Sequence, residues 1–189
     1  MELQEPASFK THLIEFLQTL VVFAAIGSII YLFAVQPHKV SGCSMCPNFH
    51  TNDYILTDKL SYRFNEPTRG DVIVFKNPRD PSQDFIKRVI GIPGDRVTLR
   101  GGKVYLNGQL LNEPYLDPTV VTNTGAYMGE NQEKTVEKDK YIVIGDNRPG
   151  SSDSREWGQL PKGNIIGKAF FRYWPREVVG IISHQPIGN

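Results

Sequence analysis

"FIKRVIGIPGD", residues 85–95, sets the period of the chain. Side chains alternate along a strand, so Phe85, Lys87 and Val89 share one face and Ile86, Arg88 and Ile90 the other, until Gly and Pro break the run. Comparable short runs recur on both sides of it: "YILTDKL" at 54–60, "GDVIVF" at 70–75, "RVTL" at 96–99, "KVYLNGQLL" at 103–111, "KYIVIG" at 140–145 and "IIGKAFFRYW" at 165–174. Each is bounded by Gly, Pro, Asn or charged residues, which is the pattern of strands. The expected class is therefore mainly β, built of antiparallel sheets. Asn107-Gly108 between two apolar runs predicts a hairpin at 103–112. Residues 112–140 are polar and end in a charge run, and they are expected to form a solvated excursion without chemistry.

Upstream of the strands the pattern is different. Between Glu15 and Lys39 there is no Asp, Glu, Lys or Arg, and residues 17–35, "LQTLVVFAAIGSIIYLFAV", are close to the roughly 20 apolar residues that span hydrocarbon as a helix. A cleavable leader has an apolar core of only about 7–15 residues and a small-residue cleavage site. This run is longer and ends in "FAVQPHKV". Tyr31 and Phe33 suit an aromatic interface belt, and Pro37 stops the helix. Lys10 on one side balances Lys39 on the other, so charge alone leaves the orientation open. The expected organisation is a short tail at 1–16, a transmembrane helix at 17–35 and one domain at 38–189, with about 100–140 as a smaller non-catalytic excursion.

Composition excludes some functions. With 189 residues, 40% hydrophobic and 22% charged, the chain has enough material for one proper core. A net charge of +1 lacks the basic excess that binds nucleic acid. Two cysteines allow at most one bridge.

Four blocks gather polar residues beside Gly and Pro: 41–49, 70–75, 85–95 and 145–158, the last reading "GDNRPGSSDSREWG". The first, "SGCSMCPNF", holds Ser44 between the two cysteines, Cys43 and Cys46. A serine nucleophile needs a base. Of the four histidines, His12, His38, His50 and His184, two flank the apolar run and one lies in the tail, and no Gly-x-Ser-x-Gly elbow accompanies them, which leaves Lys87 as the candidate. Free lysine titrates near 10.4, and work near neutrality needs that value lowered by about 2 to 3, roughly 3 to 4 kcal/mol against the ammonium. Apolar neighbours on the Lys87 face can supply this by burial.

Taken in order, "SGCSMCPNF", "GDVIVF", "FIKRVIGIPGD" and "GDNRPGSSDSREWG" resemble the four sequence boxes of bacterial type I signal peptidases, membrane proteases with a Ser-Lys dyad. The likeness runs from about residue 17 to 175. It implies a signal-peptidase-like β domain behind one membrane helix, with Ser44 as nucleophile, Lys87 as general base, Met45 in the substrate pocket wall and Ser151 as the hydroxyl that orients the lysine. Arg88, Asp146, Asp153 and Arg155 match positions that make ion pairs under the site. It further implies cleavage of signal peptides from exported preproteins after small residues at the first and third positions before the cut. The implied enzyme is a monomer that needs no metal or cofactor and contacts membrane lipid. Its catalytic domain would stand on the outer side of the cytoplasmic membrane.

Two departures stand out. Gly42 occupies a position where some members have a serine that helps hold the oxyanion, so backbone N–H groups, that of Ser44 included, have to serve. "CPNF" replaces the usual Pro-Thr, with Asn48 keeping a polar group. The cysteines have Cys-x-x-Cys spacing without the βαβ setting of a redox motif. With His38 and His50 they make a set too tight for the common zinc finger. A plain pair of small residues and a reversible disulfide over the nucleophile loop both remain open. A self-processing Ser-Lys repressor would carry a helix-turn-helix in place of the membrane span. A tethered inactive adaptor would not need Ser44, Lys87 and Ser151 together, and a thiol oxidoreductase would depend on Cys46 instead of Ser44.

Overall fold

The computed structural model describes residues 9–184 and 187, so most of the N-terminal tail lies outside the described residues. Helix α1 covers Phe9–Ala34, and its stretch Phe9–Ile29 is long and apolar enough to cross a membrane. It begins eight residues before the expected start, because Lys10, His12 and Glu15 are compatible with a helix even though they interrupt the apolar run. It ends before Pro37 and gives way directly to a strand. The helix and the β-rich part form separate compact units, dividing between Val35 and Gln36.

The strands in chain order are β1 Val35–Lys39, β2 Tyr54–Asp58, β3 Val72–Asn77, β4 Asp80–Gly91, β5 Arg96–Arg100, β6 Lys103–Leu106, β7 Gln109–Leu110, β8 Glu133–Thr135, β9 Lys140–Ile144, β10 Leu160–Pro161, β11 Ile165–Trp174 and β12 Gly180–Ile181. One-turn helices α2, Ser61–Phe64, and α3, Ser154–Trp157, follow β2 and precede β10. Among the described residues, the larger sheet runs β1-β2-β11-β3-β4-β9-β10 with β12 on β11, and the smaller runs β7-β6-β5-β8. The pairings are antiparallel. The class is mainly β, as the short runs predict. Strand β4 is longer than its apolar part because Asp80–Asp84 continue the hairpin with β3, where Lys76 pairs with Asp84, and no apolar alternation marks those residues.

Burial explains the order. On β3, Val72 and Val74 enter one cluster with Val40, Met45, Phe49, Ile55 and Ala169, while Ile73 and Phe75 enter a second with Val89, Tyr141, Val143 and Leu160. On β9, Ile142 and Ile144 reach a third cluster beneath the smaller sheet, with Ile90, Val97, Leu99 and Val104. Central strands buried on both faces read as continuous apolar runs, which is how "GDVIVF" and "KYIVIG" appear in the sequence. Asn107 and Gly108 both have positive φ, 51° and 84°, as the tight turn between β6 and β7 requires.

The segment 112–140 is only partly solvated. Met128 and Val136 are buried in the third cluster, β8 pairs with β5, and Glu113 and Tyr115 reach back toward the fourth sequence block. Polar residues hid this packing because their partners, such as Arg148, are themselves charged and buried.

Candidate active site

Lys87 lies on β4 opposite Ile73 of β3 and is 3% exposed. Its Nζ stands 2.7 Å from Ser44 Oγ and donates to the Ile86 carbonyl at 2.9 Å. Burial drives its pKa down from 10.5 to about 8; the carboxylates of Asp153 and Asp146 act in the opposite sense without cancelling the effect. The Phe85 ring, 5.0 Å from Nζ, is part of the apolar surround. A lysine with its pKa near 8 is available in part as the free amine at mildly alkaline pH, the form that can accept a hydroxyl proton.

Ser44 sits in a turn between an exposed arm, Ser41–Cys43, and a packed one. Met45 and Phe49 are buried, and Gly42 adopts φ +83° with open space where a side chain would stand. Cys43 and Cys46 are joined by a disulfide, so the plain pair of thiols gives way to a covalent bridge around the serine. The main-chain N–H of Asn147 donates to the Ser44 carbonyl at 3.1 Å and its side chain donates to the Cys43 carbonyl at 2.9 Å. Gly145 packs so closely under the serine that a Cβ there would lie 2.4 Å from the Ser44 carbonyl oxygen. Among the described residues the Ser44 N–H has no hydrogen-bond partner and is available to an oxyanion.

The ion pairs hold the fourth block beneath the dyad. Arg88 grips both oxygens of Asp146 through its Nε–Nη2 edge, at 2.9 and 2.7 Å, donates from Nη1 to the Gly70 carbonyl and lies over the Tyr115 ring. Asp153 caps α3 by accepting from the Arg155 N–H, pairs with the Arg155 side chain at 2.8 Å on both oxygens and accepts from Gly145 N–H at 3.0 Å. Asn48 donates to Asp146 at 2.8 Å and to the Tyr115 carbonyl, so its amide links the nucleophile loop to this network. Sequence reasoning passed over Arg148, Asn147 and Gly145. Arg148 is fully buried and bonds Glu113, Thr122 and the Gly145 carbonyl. The signal was present in "GDNRPG", where every residue type is small or polar in a block that faces the nucleophile.

Two expected roles read differently in the structure. Met45 is 1% exposed in the core and does not line the cleft, because the turn after Ser44 directs its side chain inward, where its sulfur accepts from the Asp146 N–H. The Ser151 hydroxyl is buried without a hydrogen-bond partner and makes no bond to Lys87, whose nearest polar partners are Ser44 and the Ile86 carbonyl.

A cleft of about 280 Å³ opens over the pair, lined by His38, Val40, Ser41, Cys43 and Ser44 on one side and by Asp84, Phe85, Ile86 and Lys87 on the other. Ile55 and Val74 add to its apolar lining. Strand β1 is the last of its sheet, and β4 pairs with β9 only from Arg88 onward. Among the described strands, the flank of β4 that borders the cleft therefore has main-chain groups without a ladder partner.

Residues 13–174 match the family described as "Signal peptidase, peptidase S26". The chain is 37% identical over 181 residues to signal peptidase I of Leptolyngbya laminosa, covering 92% of this chain and 86% of that protein. It is 38% identical over 168 residues to the probable signal peptidase I-2 of Synechocystis sp., covering 86% and 72%. Against signal peptidase IB of Staphylococcus aureus the identity is 34% over 177 residues, covering 88% and 92%.

Proposed function

The chain belongs to the signal peptidase family, peptidase S26, and from that premise we propose that Ser44 and Lys87 are its nucleophile and general base. It is a signal peptidase, a serine endopeptidase that removes signal peptides from preproteins. The observation that carries the dyad is the 2.7 Å approach of Lys87 Nζ to Ser44 Oγ at a lysine whose burial lowers its pKa to about 8.

The geometry supports the following course. A preprotein segment enters the cleft in extended form and adds to the unpaired flank of β4, where main-chain hydrogen bonds hold it irrespective of sequence. Val40, Ile55, Val74 and Ile86 give the cleft its apolar lining, which suits the small apolar side chains that the family resemblance implies before the cut. Lys87 takes the Ser44 proton as Oγ bonds to the scissile carbonyl carbon, and the oxyanion that forms receives the Ser44 N–H. Lys87 then gives its proton to the departing amide nitrogen, the carbon–nitrogen bond breaks and the signal peptide remains as an ester on Ser44. Water, deprotonated by Lys87, attacks the ester and returns Ser44 to its hydroxyl form. The pairs Arg88–Asp146 and Asp153–Arg155 keep the fourth block in register below the dyad.

Helix α1 anchors the enzyme beside a substrate that is itself held in the membrane, which raises their effective concentration. The β domain works on the outer face of the cytoplasmic membrane, as a monomer. Cleavage of a preprotein by the parent enzyme, Ser44→Ala and Lys87→Ala tests the reading. Loss of activity in both variants with the fold intact excludes an adaptor or a thiol enzyme, and activity surviving either substitution refutes the dyad.

A further inference from the structure

The disulfide between Cys43 and Cys46 encloses Ser44 in a covalent ring of four residues. We propose that these cysteines are positioning residues for the nucleophile, so that the oxidised peptidase is the more active form and reduction by a dithiol lowers its turnover. The inference rests on the Ser44–Lys87 reading of the site.

Ser44 has to present two groups at once, its Oγ to Lys87 and its N–H to the oxyanion, and both depend on the backbone at Cys43 and Ser44. The two arms of the turn are unequal. Downstream, Met45 and Phe49 are buried and fix the chain by packing. Upstream, Ser41, Gly42 and Cys43 are exposed, and Gly42 has left-handed φ with open space where a side chain would stand. That arm is held by the Asn147 bond to the Cys43 carbonyl, by Thr51 Oγ1 bonding the Gly42 carbonyl and by the Cys46 N–H bonding the Cys43 carbonyl. Apart from the main chain through Ser44, the disulfide is what ties the exposed arm covalently to the packed one. Without it the position of the Ser44 N–H rests on hydrogen bonds at a solvent-exposed edge.

The chemistry is thiol–disulfide exchange. A thiolate of the dithiol attacks one cysteine sulfur and releases the other as a thiolate, and the second thiol of the reagent then resolves the mixed disulfide. The enzyme gains two electrons and two protons, and the dithiol leaves as its own cyclic disulfide. Cys43 is exposed, so the bond is within reach of a protein or small-molecule dithiol.

The test uses the full-length enzyme in detergent, cleaving a preprotein before and after treatment with dithiothreitol, and again after reoxidation with oxidised glutathione. Alkylation counts the thiols at each stage. Reduction is expected to lower kcat by about tenfold, less than the ~100-fold cost of a 1 Å misplacement because the Asn147 bonds persist, with KM little changed and the fall reversed on reoxidation. The double variant Cys43→Ala, Cys46→Ala is expected to show the reduced kcat in both conditions. Equal or higher kcat with two free thiols overturns the proposal, as does a loss of activity that follows thermal unfolding of the reduced domain. If the oxidised parent and Ser44→Ala behave alike, the dyad reading has failed instead.

Discussion

Ser44 Oγ and Lys87 Nζ meet at 2.7 Å although 43 positions separate them in the chain. Ser44 comes from a turn after β1, Lys87 from within β4, and the fourth sequence block packs against the Ser44 turn. The lysine is buried, and that burial lowers its pKa to about 8.

The first consequence is a pH profile. With the Lys87 pKa at about 8, kcat/KM is expected to rise about tenfold per pH unit below that point and to level above it. A profile already flat at pH 6 would mean that another group is the base.

The same burial costs stability. Below pH 8 the lysine is charged in the folded and the unfolded chain, so the folded state bears the whole desolvation cost. Between 8 and 10.5 the folded chain loses its proton first and stability rises with pH, and above 10.5 the cost has gone. A depression from 10.5 to about 8 corresponds to about 3 kcal/mol. Lys87→Met is therefore expected to be inactive yet more stable than the parent at pH 6–7 by up to about 3 kcal/mol, with the gap closing as pH rises. Urea unfolding at several pH values measures it, and a less stable variant at pH 6 contradicts the argument.

Arg88→Met leaves Asp146 buried without its cation. A loss of about 3–5 kcal/mol is expected, whereas the double variant Arg88→Met, Asp146→Leu recovers much of it because no charge is stranded. A double-variant loss equal to the sum of the Arg88→Met and Asp146→Leu losses would show that the pair is not coupled.

Gly145→Ala drives a methyl toward the Ser44 carbonyl oxygen and the Ser151 hydroxyl, at 2.4 and 2.2 Å. The serine has to shift. We expect kcat to fall at least about tenfold with a stability loss of about 1–3 kcal/mol, read from kinetics and melting on the same preparation. Unchanged kcat would show that the loop absorbs the methyl elsewhere.

Ile86→Ala enlarges the cleft beside the serine. Preproteins with Leu in place of Ala before the cut are expected to gain about tenfold or more in relative kcat/KM, the scale of one or two methylenes in an apolar pocket. An unchanged ratio would place the specificity wall elsewhere.

Much of the site was legible in the chain itself. The four blocks, the strand alternation that gives Lys87 apolar neighbours, the apolar run of α1 and the Asn107-Gly108 hairpin all follow from local patterns, because period, turn chemistry and hydrophobic length are properties of neighbouring residues. Elements without such a pattern were missed: β1, β8, β10, β12 and the polar start of β4, each fixed by its partner strand.

The sequence by itself determined the class of the fold, the membrane-spanning helix and the residue types available for catalysis. Only the tertiary structure decided how they meet. It turned Met45 into the core, left the Ser151 hydroxyl without a partner, brought Arg148 and Glu113 together out of two polar stretches and closed Cys43 and Cys46 around Ser44. Each of these depends on contacts between segments far apart in the chain, where burial and charge pairing depend on the neighbours that folding supplies.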